Sequence, residues 1–258
     1  MTGAGRLAVV VPAFDEAAGI AATLRALAAQ QDPDFTLVVV DNDSTDGTAD
    51  VVRTVAATLP VLRVEVVHEA QRGTGAAADT GMRHAIGAGA TMLARTDADC
   101  LPAPDWTARI RAALDGSDGK GGLELVAGRL LPRTDEGLPA WQRGVLVGAV
   151  EVAAAFGRVR PGNRGPQYLG PYVMAPGCNM AVTAELYSRA GGFPRTRIQD
   201  LHEDRALVNA VRRLTTRYGL RRDVVVRGSS RRVRAWGLCR TLAWYADHRY
   251  RPEHVDIR

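Results

Sequence analysis

Two carboxylates separated by one small residue are the first sign of chemistry in this sequence. Asp97-Ala98-Asp99 directly follows the apolar segment 91–95, which we interpret as a short buried strand. Beyond a strand end such a pair could hold Mg²⁺ or Mn²⁺, because these ions prefer oxygen ligands and complete their coordination with phosphate and water. Burying both carboxylates without a partner would be costly. Helix capping or solvation is the competing interpretation, since an isolated Asp-x-Asp is common.

A second acidic pair, Glu203-Asp204, lies near the start of a helix predicted over residues 201–218. The preceding segment GGFPRT reads as a turn that would aim the start of this helix back at the edge of the sheet. Acidic residues in a first turn also interact favourably with the helix dipole, so a purely structural role fits the sequence equally well.

Two adjacent arginines, Arg231 and Arg232, follow a strand predicted over residues 223–227. Paired guanidinium groups suit a diphosphate, because their planar forks of donors match phosphate oxygens. A position on the solvated surface is the alternative.

These arginines belong to a basic carboxyl-terminal segment. Residues 205–258 contain 14 arginines and 4 acidic residues, whereas the whole chain has a net charge of only +5. Such a segment could contact nucleic acid, an anionic membrane surface or the phosphates of a substrate. No nucleic-acid-binding motif or aromatic platform accompanies it, so we expect no nucleic-acid partner. A solvated helical face is the plainer alternative.

These residues need a scaffold, and the first 115 residues predict one. Apolar strand-like runs alternate with amphipathic segments, a pattern typical of an α/β fold with a mostly parallel sheet and helices on both faces. The predicted strands cover residues 7–11, 36–40, 61–67 and 91–95, and the predicted helices cover 17–29, 48–58, 76–86 and 105–114. In such sheets ligands bind beyond the carboxyl ends of the strands. Polar residues follow each of these ends, although caps and turns use the same residue types.

The pattern is looser beyond residue 115. We predict a strand over residues 123–128 and helices over 138–156 and 236–248. The loop 157–171 is rich in Gly, Pro and Arg and long enough to act as a lid. We expect one continuous domain, in which residues 1–100 and 101–258 form two functional halves.

The composition, 46% apolar and 24% charged, is that of a globular protein. No apolar run reaches the ~20 residues of a membrane-spanning helix, and the first residues lack the features of a signal peptide. Three widely spaced cysteines, Cys100, Cys178 and Cys239, favour a reducing compartment. We therefore expect a cytoplasmic protein, with peripheral membrane contact through the basic segment as a further expectation.

In their order and approximate spacing, the motifs resemble glycosyltransferase family 2, which has the GT-A fold. The resemblance rests on VVVPAFDE, VVVDNDSTDGT, RGTGAAADTG, RTDAD, APGCNMAV, GGF and the Glu-Asp pair. It implies transfer of a sugar from a nucleoside-diphosphate donor to an acceptor hydroxyl, with inversion and with Mn²⁺ or Mg²⁺ as cofactor. The Gln-x-x-Arg-Trp motif of processive synthases is absent, so we expect single transfers. The sequence identifies neither the sugar nor the acceptor, for which a lipid carrier, a glycan and a small molecule are all open.

The resemblance also implies roles for individual residues. The donor-binding positions are Pro12, Ala13, Phe14, Glu16, Asp41, Asn42, Arg72, Asp97 and Ala98, with Arg231 and Arg232 suited to the diphosphate. Asp99 corresponds to the principal metal ligand, and Asp97 lies near the metal or the ribose. Asp204 corresponds to the catalytic base, with Glu203 as the alternative. We expect the helix dipole to keep the pKa of Asp204 low unless burial raises it.

Two other interpretations remain. Gly73-Thr74-Gly75-Ala76-Ala77-Ala78 matches a dinucleotide-binding fingerprint, with Asp97 about 20 residues further on, which would indicate an NAD(P)-dependent oxidoreductase. Against it, these glycines follow the third predicted strand and not the first. A degenerate domain that binds a nucleotide sugar without turnover is the other alternative, and the intact acidic motifs argue against it.

Overall fold

The computed structural model describes residues 5–195 and 203–247, with side chains described as far as residue 242. Eight strands form a single sheet in the order β3-β2-β1-β4-β7-β6-β8-β5. The strands are β1 (Leu7–Ala13), β2 (Phe35–Asp41), β3 (Arg63–His68), β4 (Met92–Arg95), β5 (Leu101–Pro102), β6 (Leu125–Pro132), β7 (Met180–Thr183) and β8 (Tyr218–Gly228). The helices are α1 (Ile20–Ala28), α2 (Thr48–Ala57), α3 (Thr74–Gly87), α4 (Trp106–Asp115), α5 (Ala140–Val159), α6 (Ala184–Arg189), α7 (Glu203–Val211), α8 (Arg231–Trp236) and α9 (Leu238–Asp247).

The amino-terminal half of the sheet confirms the predicted parallel arrangement. Strand β1 pairs in parallel with β2 on one side and with β4 on the other, and β2 pairs in parallel with β3. All seven residues of β1 are buried, because helices cover both faces of the strand. Its side chains alternate between two hydrophobic cores, one with α1, α2 and α4 and one with α3, α6 and α7. The carboxyl ends of these four strands therefore meet at one edge of the sheet.

The carboxyl-terminal half differs from the prediction in three places. Strands β5 and β7 were not predicted, and β7 is antiparallel to both β4 and β6. The predicted helix 201–218 is too long, since α7 ends at Val211 and Tyr218 already begins β8, which pairs with β6. Long-range pairing prevails over local helix propensity there. Helix α9 confirms most of the predicted helix 236–248, but a short helix that was not predicted, α8, precedes it across Gly237, where φ is +80°. Residues 196–202, and with them the start of the predicted helix, lie outside the described residues.

The predicted loop 157–171 begins later than expected, because α5 continues to Val159. The rest of this loop contains one short 3-10 helix, Pro161–Asn163, and is tied to the end of α7. The Arg212 guanidinium donates hydrogen bonds to the carbonyl oxygens of Asn163 at 3.0 Å and Gly170 at 2.8 Å. The Asn163 amide is buried and donates to the carbonyl oxygen of Gly157 at 2.8 Å. In the described residues no helix has both the length and the apolar character needed to cross a bilayer.

A buried amide joins the two halves of the sheet. Asn179, which directly precedes β7, has no exposed surface. Its Oδ1 accepts a hydrogen bond from the Trp106 indole at 2.9 Å, and its Nδ2 donates to the carbonyl oxygens of Arg129 at 2.9 Å and Val224 at 3.1 Å. Because it connects α4, β6 and β8, this side chain fixes how β7 sits between its neighbours.

We predict that Asn179→Ala lowers the free energy of unfolding by about 3 kcal/mol, because three buried polar groups lose their partner. Urea denaturation measures the change. Trp106→Phe removes the indole N–H together with one ring of a fully buried side chain, so it should cost more than the about 1–2 kcal/mol of the lost hydrogen bond alone. A loss below about 1 kcal/mol for Asn179→Ala would contradict the assignment of this residue as the link between the half-sheets.

Candidate functional site

The loops that follow β1 and β2 are joined into one wall of the site. The Asp15 N–H donates to Ser44 Oγ at 3.1 Å, and the Asp15 carboxylate accepts the Thr45 N–H at 2.8 Å. Thr48 Oγ1 accepts the Glu16 N–H at 2.8 Å. Asp15 and Asp43 adopt positive φ values of 49° and 63°, a region that Asp enters more readily than most residues. Asp15, Ser44 and Thr45 thus shape the loops.

The predicted donor-binding residues of this wall have different surroundings. Pro12 and Ala13 are the buried end of β1, and Phe14 carries the Arg72 guanidinium 5.0 Å above its ring. Arg72 also pairs with Asp43 at 3.2 Å. Asn42 is buried, and its amide holds the chain after β3 by donating to the carbonyl oxygens of Glu69 and Gln71 and accepting the Gly73 N–H. Asn42 therefore positions this wall, and its polar atoms are engaged within the protein.

Asp41, at the end of β2, has an unsatisfied carboxylate oxygen. Its Oδ1 is buried and has no hydrogen-bond partner among the described residues, while its Oδ2 lies 3.8 Å from His68 Nδ1. A buried polar atom without a partner is uncommon in a folded protein, and it marks a position where a ligand could donate a hydrogen bond.

The Asp97-Ala98-Asp99 motif forms the floor of the site with Glu16. The Thr23 hydroxyl donates to the carbonyl oxygen of the buried Ala98 at 2.7 Å and so fixes the turn between the two carboxylates. Burial raises the pKa of Glu16; Arg231 opposes this shift, and the charges of Asp99 and Asp97 add to it. The charges of Asp97 and Asp99 thus act on Glu16 where strands β1 and β4 end.

Arg231 balances this negative charge from the other end of the chain. Its guanidinium forms a two-pronged ion pair with the Glu16 carboxylate and lies 3.2 Å from Asp99 Oδ2. Helix α8 begins at Arg231, and the preceding Ser229 hydroxyl and Ser230 N–H are held by Glu136. The structure therefore brings Arg231 to the acidic motif. Arg232, the next residue on the helix, is partly buried.

The donor set suits a cation that is shared with a phosphate ligand. Among residues 5–195 and 203–247, no three His, Cys, Asp or Glu side chains form a group that could hold a metal by themselves. Mg²⁺ and similar ions are commonly held by one or two carboxylates together with substrate phosphates. Asp99 is partly exposed, and its carboxylate lies beside the Arg231 guanidinium, so this position already favours a positive charge. Asp99 and Asp97 could therefore hold such an ion.

A buried arginine connects the two acidic motifs. Arg95, at the end of β4, is 1% exposed and lies 3.3 Å from Asp97 Oδ1 and 3.4 Å from Glu203 Oε1. Its guanidinium also stacks 5.1 Å from the centre of the Phe193 ring. Gly177 lies against the guanidinium so closely that a Cβ there would approach it to 3.1 Å. The sequence motifs do not predict this role, although an arginine at the end of a buried strand is a signal for it.

Glu203 and Asp204 differ in their surroundings. Glu203 is buried against Arg95, whereas Asp204 is partly exposed and accepts a hydrogen bond from the Arg205 N–H at 2.6 Å. Burial, together with the charge of Glu203, raises the pKa of Asp204 to about 6. The exception stated for the helix dipole applies here, because desolvation and a neighbouring carboxylate outweigh the dipole and raise this pKa. Asp204 is thus the carboxylate with a pKa suited to exchange a proton near neutral pH.

The glycine motif after β3 does not form a dinucleotide cradle. Gly75 lies in the first turn of α3, and a Cβ at this position would meet the Pro194 carbonyl oxygen at 2.4 Å and Glu203 Cβ at 3.2 Å. The start of α3 is therefore covered by protein where a pyrophosphate would have to sit. Gly75 serves the close approach of α3 to α7.

Comparison with known proteins gives sequence matches to glycosyltransferases. The family model described as glycosyl transferase family 2 matches residues 8–121. A curated relative, glycosyltransferase AglE of Haloferax volcanii, is 32% identical over 126 residues, which cover 48% of this chain and 39% of the relative.

Solved structures share the fold. The mannosyltransferase PcManGT from Pyrobaculum calidifontis, in complex with GDP-Man and Mn²⁺, superimposes with a TM-score of 0.64 at 26% identity, covering 96% of this chain and 64% of that one. S. aureus TarS 1-349 in complex with UDP-GlcNAc gives a TM-score of 0.60 at 16% identity and covers 92% and 65%. This chain thus spans less than two thirds of the length of these relatives. Residues 8–121 are thus similar to glycosyl transferase family 2, and the chain has the GT-A fold of its structural relatives.

Proposed function

We propose that this protein transfers a sugar from a nucleoside-diphosphate donor to an acceptor hydroxyl, with inversion at the anomeric carbon and with Mn²⁺ or Mg²⁺ as cofactor. The observation that carries the proposal is the convergence of Glu16, Asp97, Asp99 and Arg231 at one sheet edge, with Asp204 joined to them through Arg95 and Glu203. The complexes of structural relatives with GDP-Man and with UDP-GlcNAc support a nucleotide sugar as the donor class.

On the donor side, the wall formed by Phe14, Asp41 and Arg72 would receive the nucleoside. The unsatisfied Asp41 oxygen supports a contact with a donor group of the base. Arg231 would turn from Asp99 to the diphosphate oxygens, which its planar fork suits. A divalent cation held by Asp99 and Asp97 would offset the charge that develops on the departing nucleoside diphosphate.

On the acceptor side, Asp204 would take the proton of the attacking hydroxyl. Its raised pKa keeps the carboxylate basic while leaving it mostly ionised at neutral pH, which is the range that a general base needs. Glu203 would hold Arg95 in place and, by its charge, keep the basicity of Asp204 high. Attack by the hydroxyl on the face opposite the leaving group gives inversion.

The first prediction concerns the base. Asp204→Asn keeps the size of the side chain but cannot accept a proton, so it should cut transfer by about a hundredfold or more while leaving donor affinity nearly unchanged. Because Asp204 must be ionised, the wild-type rate should fall about tenfold per pH unit below pH 6 and level off above it. Steady-state rates with matched donor-binding calorimetry measure both effects, and the residual rate of the variant should lack this acid limb.

Glu203→Gln is the matched control. It should lower thermal stability, because Arg95 loses a carboxylate partner, and it should move the acid limb of the rate to lower pH without abolishing transfer. If Glu203→Gln stops transfer while Asp204→Asn does not, Glu203 is the base and the assignment is overturned.

The second prediction concerns the cation. Asp99→Ala should abolish the gain in nucleoside-diphosphate affinity that Mn²⁺ produces, as followed by calorimetry with GDP and with UDP. Asp50→Ala, which removes a surface carboxylate paired only with Arg53, should leave that gain intact. An undiminished gain in Asp99→Ala would remove Asp99 from the metal site.

The third prediction separates the two arginines. Arg231→Ala should weaken binding of the nucleoside diphosphate about tenfold to a hundredfold, and binding of the bare nucleoside much less, because only the former offers phosphate oxygens. Arg231→Lys should recover part of the loss, since it keeps the charge but not the fork. Arg232→Ala measures how much the neighbouring arginine contributes to the affinity for the nucleoside diphosphate. Equal losses for both ligands would point to a contact with the base or to misfolding.

A further inference from the structure

Helix α5 (Ala140–Val159) carries a stripe of apolar side chains that faces away from the protein. No residue of this 20-residue helix is buried. Five of its large apolar residues are exposed, with Trp141 at 64%, Val152 at 69% and Phe156 at 63%; the others are Val145 and Val159. At about 100° per residue, these five positions fall within about 60° of one another around the helix axis. We call this set the α5 stripe.

The opposite side of α5 packs on the protein. Gly157 lies against Tyr172, where a Cβ would approach the ring to 2.8 Å. On the exposed flank of the helix that Glu151 and Arg158 share, Glu151 pairs with Arg222 at 3.4 Å. Helix α5 therefore packs on the protein with one side and presents a continuous apolar surface, the α5 stripe, on the other. Contiguous exposed apolar surfaces of this kind mark sites of interaction.

Positive charge lies at the carboxyl-terminal end of the stripe. Arg158, Arg160 and Arg164 are all exposed, and none of them pairs with a carboxylate among the described residues. Exposed Leu169 in the following loop adds to the apolar surface. An apolar stripe with a tryptophan at one end and arginines at the other is the composition that helices at a bilayer surface use.

The charge distribution favours an anionic lipid surface over a second copy of the chain. In a symmetric pair, the three arginines would need free carboxylates near the other end of the stripe. The carboxylates there are engaged within the chain: Asp135 pairs with Arg133 at 2.7 Å, and Glu136 accepts from Ser229 and Ser230. Anionic headgroups supply the missing negative charge.

The stripe also lies beside the acceptor side of the proposed active site. The residue that packs under α5, Tyr172, is buried, and its pKa is raised to about 12 by burial and by the charge of Asp204. Arg160 and Arg205 act on the same hydroxyl in the opposite direction. Tyr172 thus packs against the last turn of α5 and belongs to the hydrophobic core that also contains Leu207 and Val208 of α7.

We propose that the α5 stripe is a membrane-docking surface, which inserts into the boundary of an anionic bilayer while Arg158, Arg160 and Arg164 bind its headgroups. This places the membrane contact on α5, and not only on the basic carboxyl-terminal segment. Docked in this way, the protein presents the Asp204 side of the site to acceptors held at the lipid surface. The docking itself does not rest on the proposed function, because binding to vesicles requires no turnover.

The test is co-sedimentation of the whole chain with vesicles of phosphatidylcholine alone and of phosphatidylcholine mixed with phosphatidylglycerol. The wild-type chain should partition onto the anionic vesicles. Val152→Glu should lower this partitioning at least about tenfold, whereas Val61→Glu, the same change at another exposed valine, should not. Both positions are exposed, so both variants should stay folded, which circular dichroism checks.

A charge-matched pair of variants tests the arginines. Replacing Arg158, Arg160 and Arg164 by Gln should weaken binding to the anionic vesicles by at least about tenfold. Replacing the exposed Arg25, Arg53 and Arg63 by Gln changes the net charge equally and should have little effect. Equal losses in the two triple variants would overturn the proposed docking surface. So would a chain that ignores both vesicle types but forms a dimer that Val152→Glu dissociates in light scattering. Donor turnover, measured without lipid, reports separately on the proposed function.

Discussion

The arrangement of the site depends on one buried cation. The Arg95 guanidinium lies under the sheet edge with two carboxylates as partners, Asp97 from the same strand end and Glu203 from α7. A buried positive charge is tolerable only while both carboxylate partners stay in place. The Arg95 Nε has no hydrogen-bond partner among the described residues. Any movement of α7 away from β4 would leave the arginine unpaired. The two acidic motifs, more than 100 residues apart, are therefore held at a fixed separation by an electrostatic constraint.

This constraint also explains how two adjacent carboxylates come to differ. Glu203 forms an ion pair with Arg95, and its negative charge also disfavours ionisation of its neighbour Asp204. A helix dipole acts on both residues, but it is worth only up to about 1 kcal/mol at an exposed helix end. Burial and a like charge a few ångströms away can exceed that amount. The different surroundings of the two carboxylates thus favour Asp204 over Glu203 as the proposed base.

The sequence was sufficient for the parallel half of the sheet and insufficient for the rest. Strands such as β1 are apolar, β-branched and buried on both faces, so their local pattern identifies them. Strand β7 has four residues and β5 has two, and both exist because of partners far along the chain. The helix predicted over residues 201–218 is too long for the same reason, since β8, which begins at Tyr218, is stabilised by pairing with β6. Among the site residues, the motifs gave Asp97, Asp99 and Asp204 by type and spacing, but Arg95 could be assigned only once its distant partners were known.

The ion pair between Arg231 and Glu16 closes a loop of 215 residues. Joining such distant points costs entropy, although the cost grows only with the logarithm of loop length. During synthesis, Glu16 and the first three strands leave the ribosome long before α8 does. The carboxylates of this part of the chain must then remain hydrated or bind cations from solution. The charge balance of the folded site arises only when the last helices have formed. Removal of the chain from residue 231 onward would consequently leave the sheet nearly complete in its strands while withdrawing the guanidinium partner of Glu16 and Asp99.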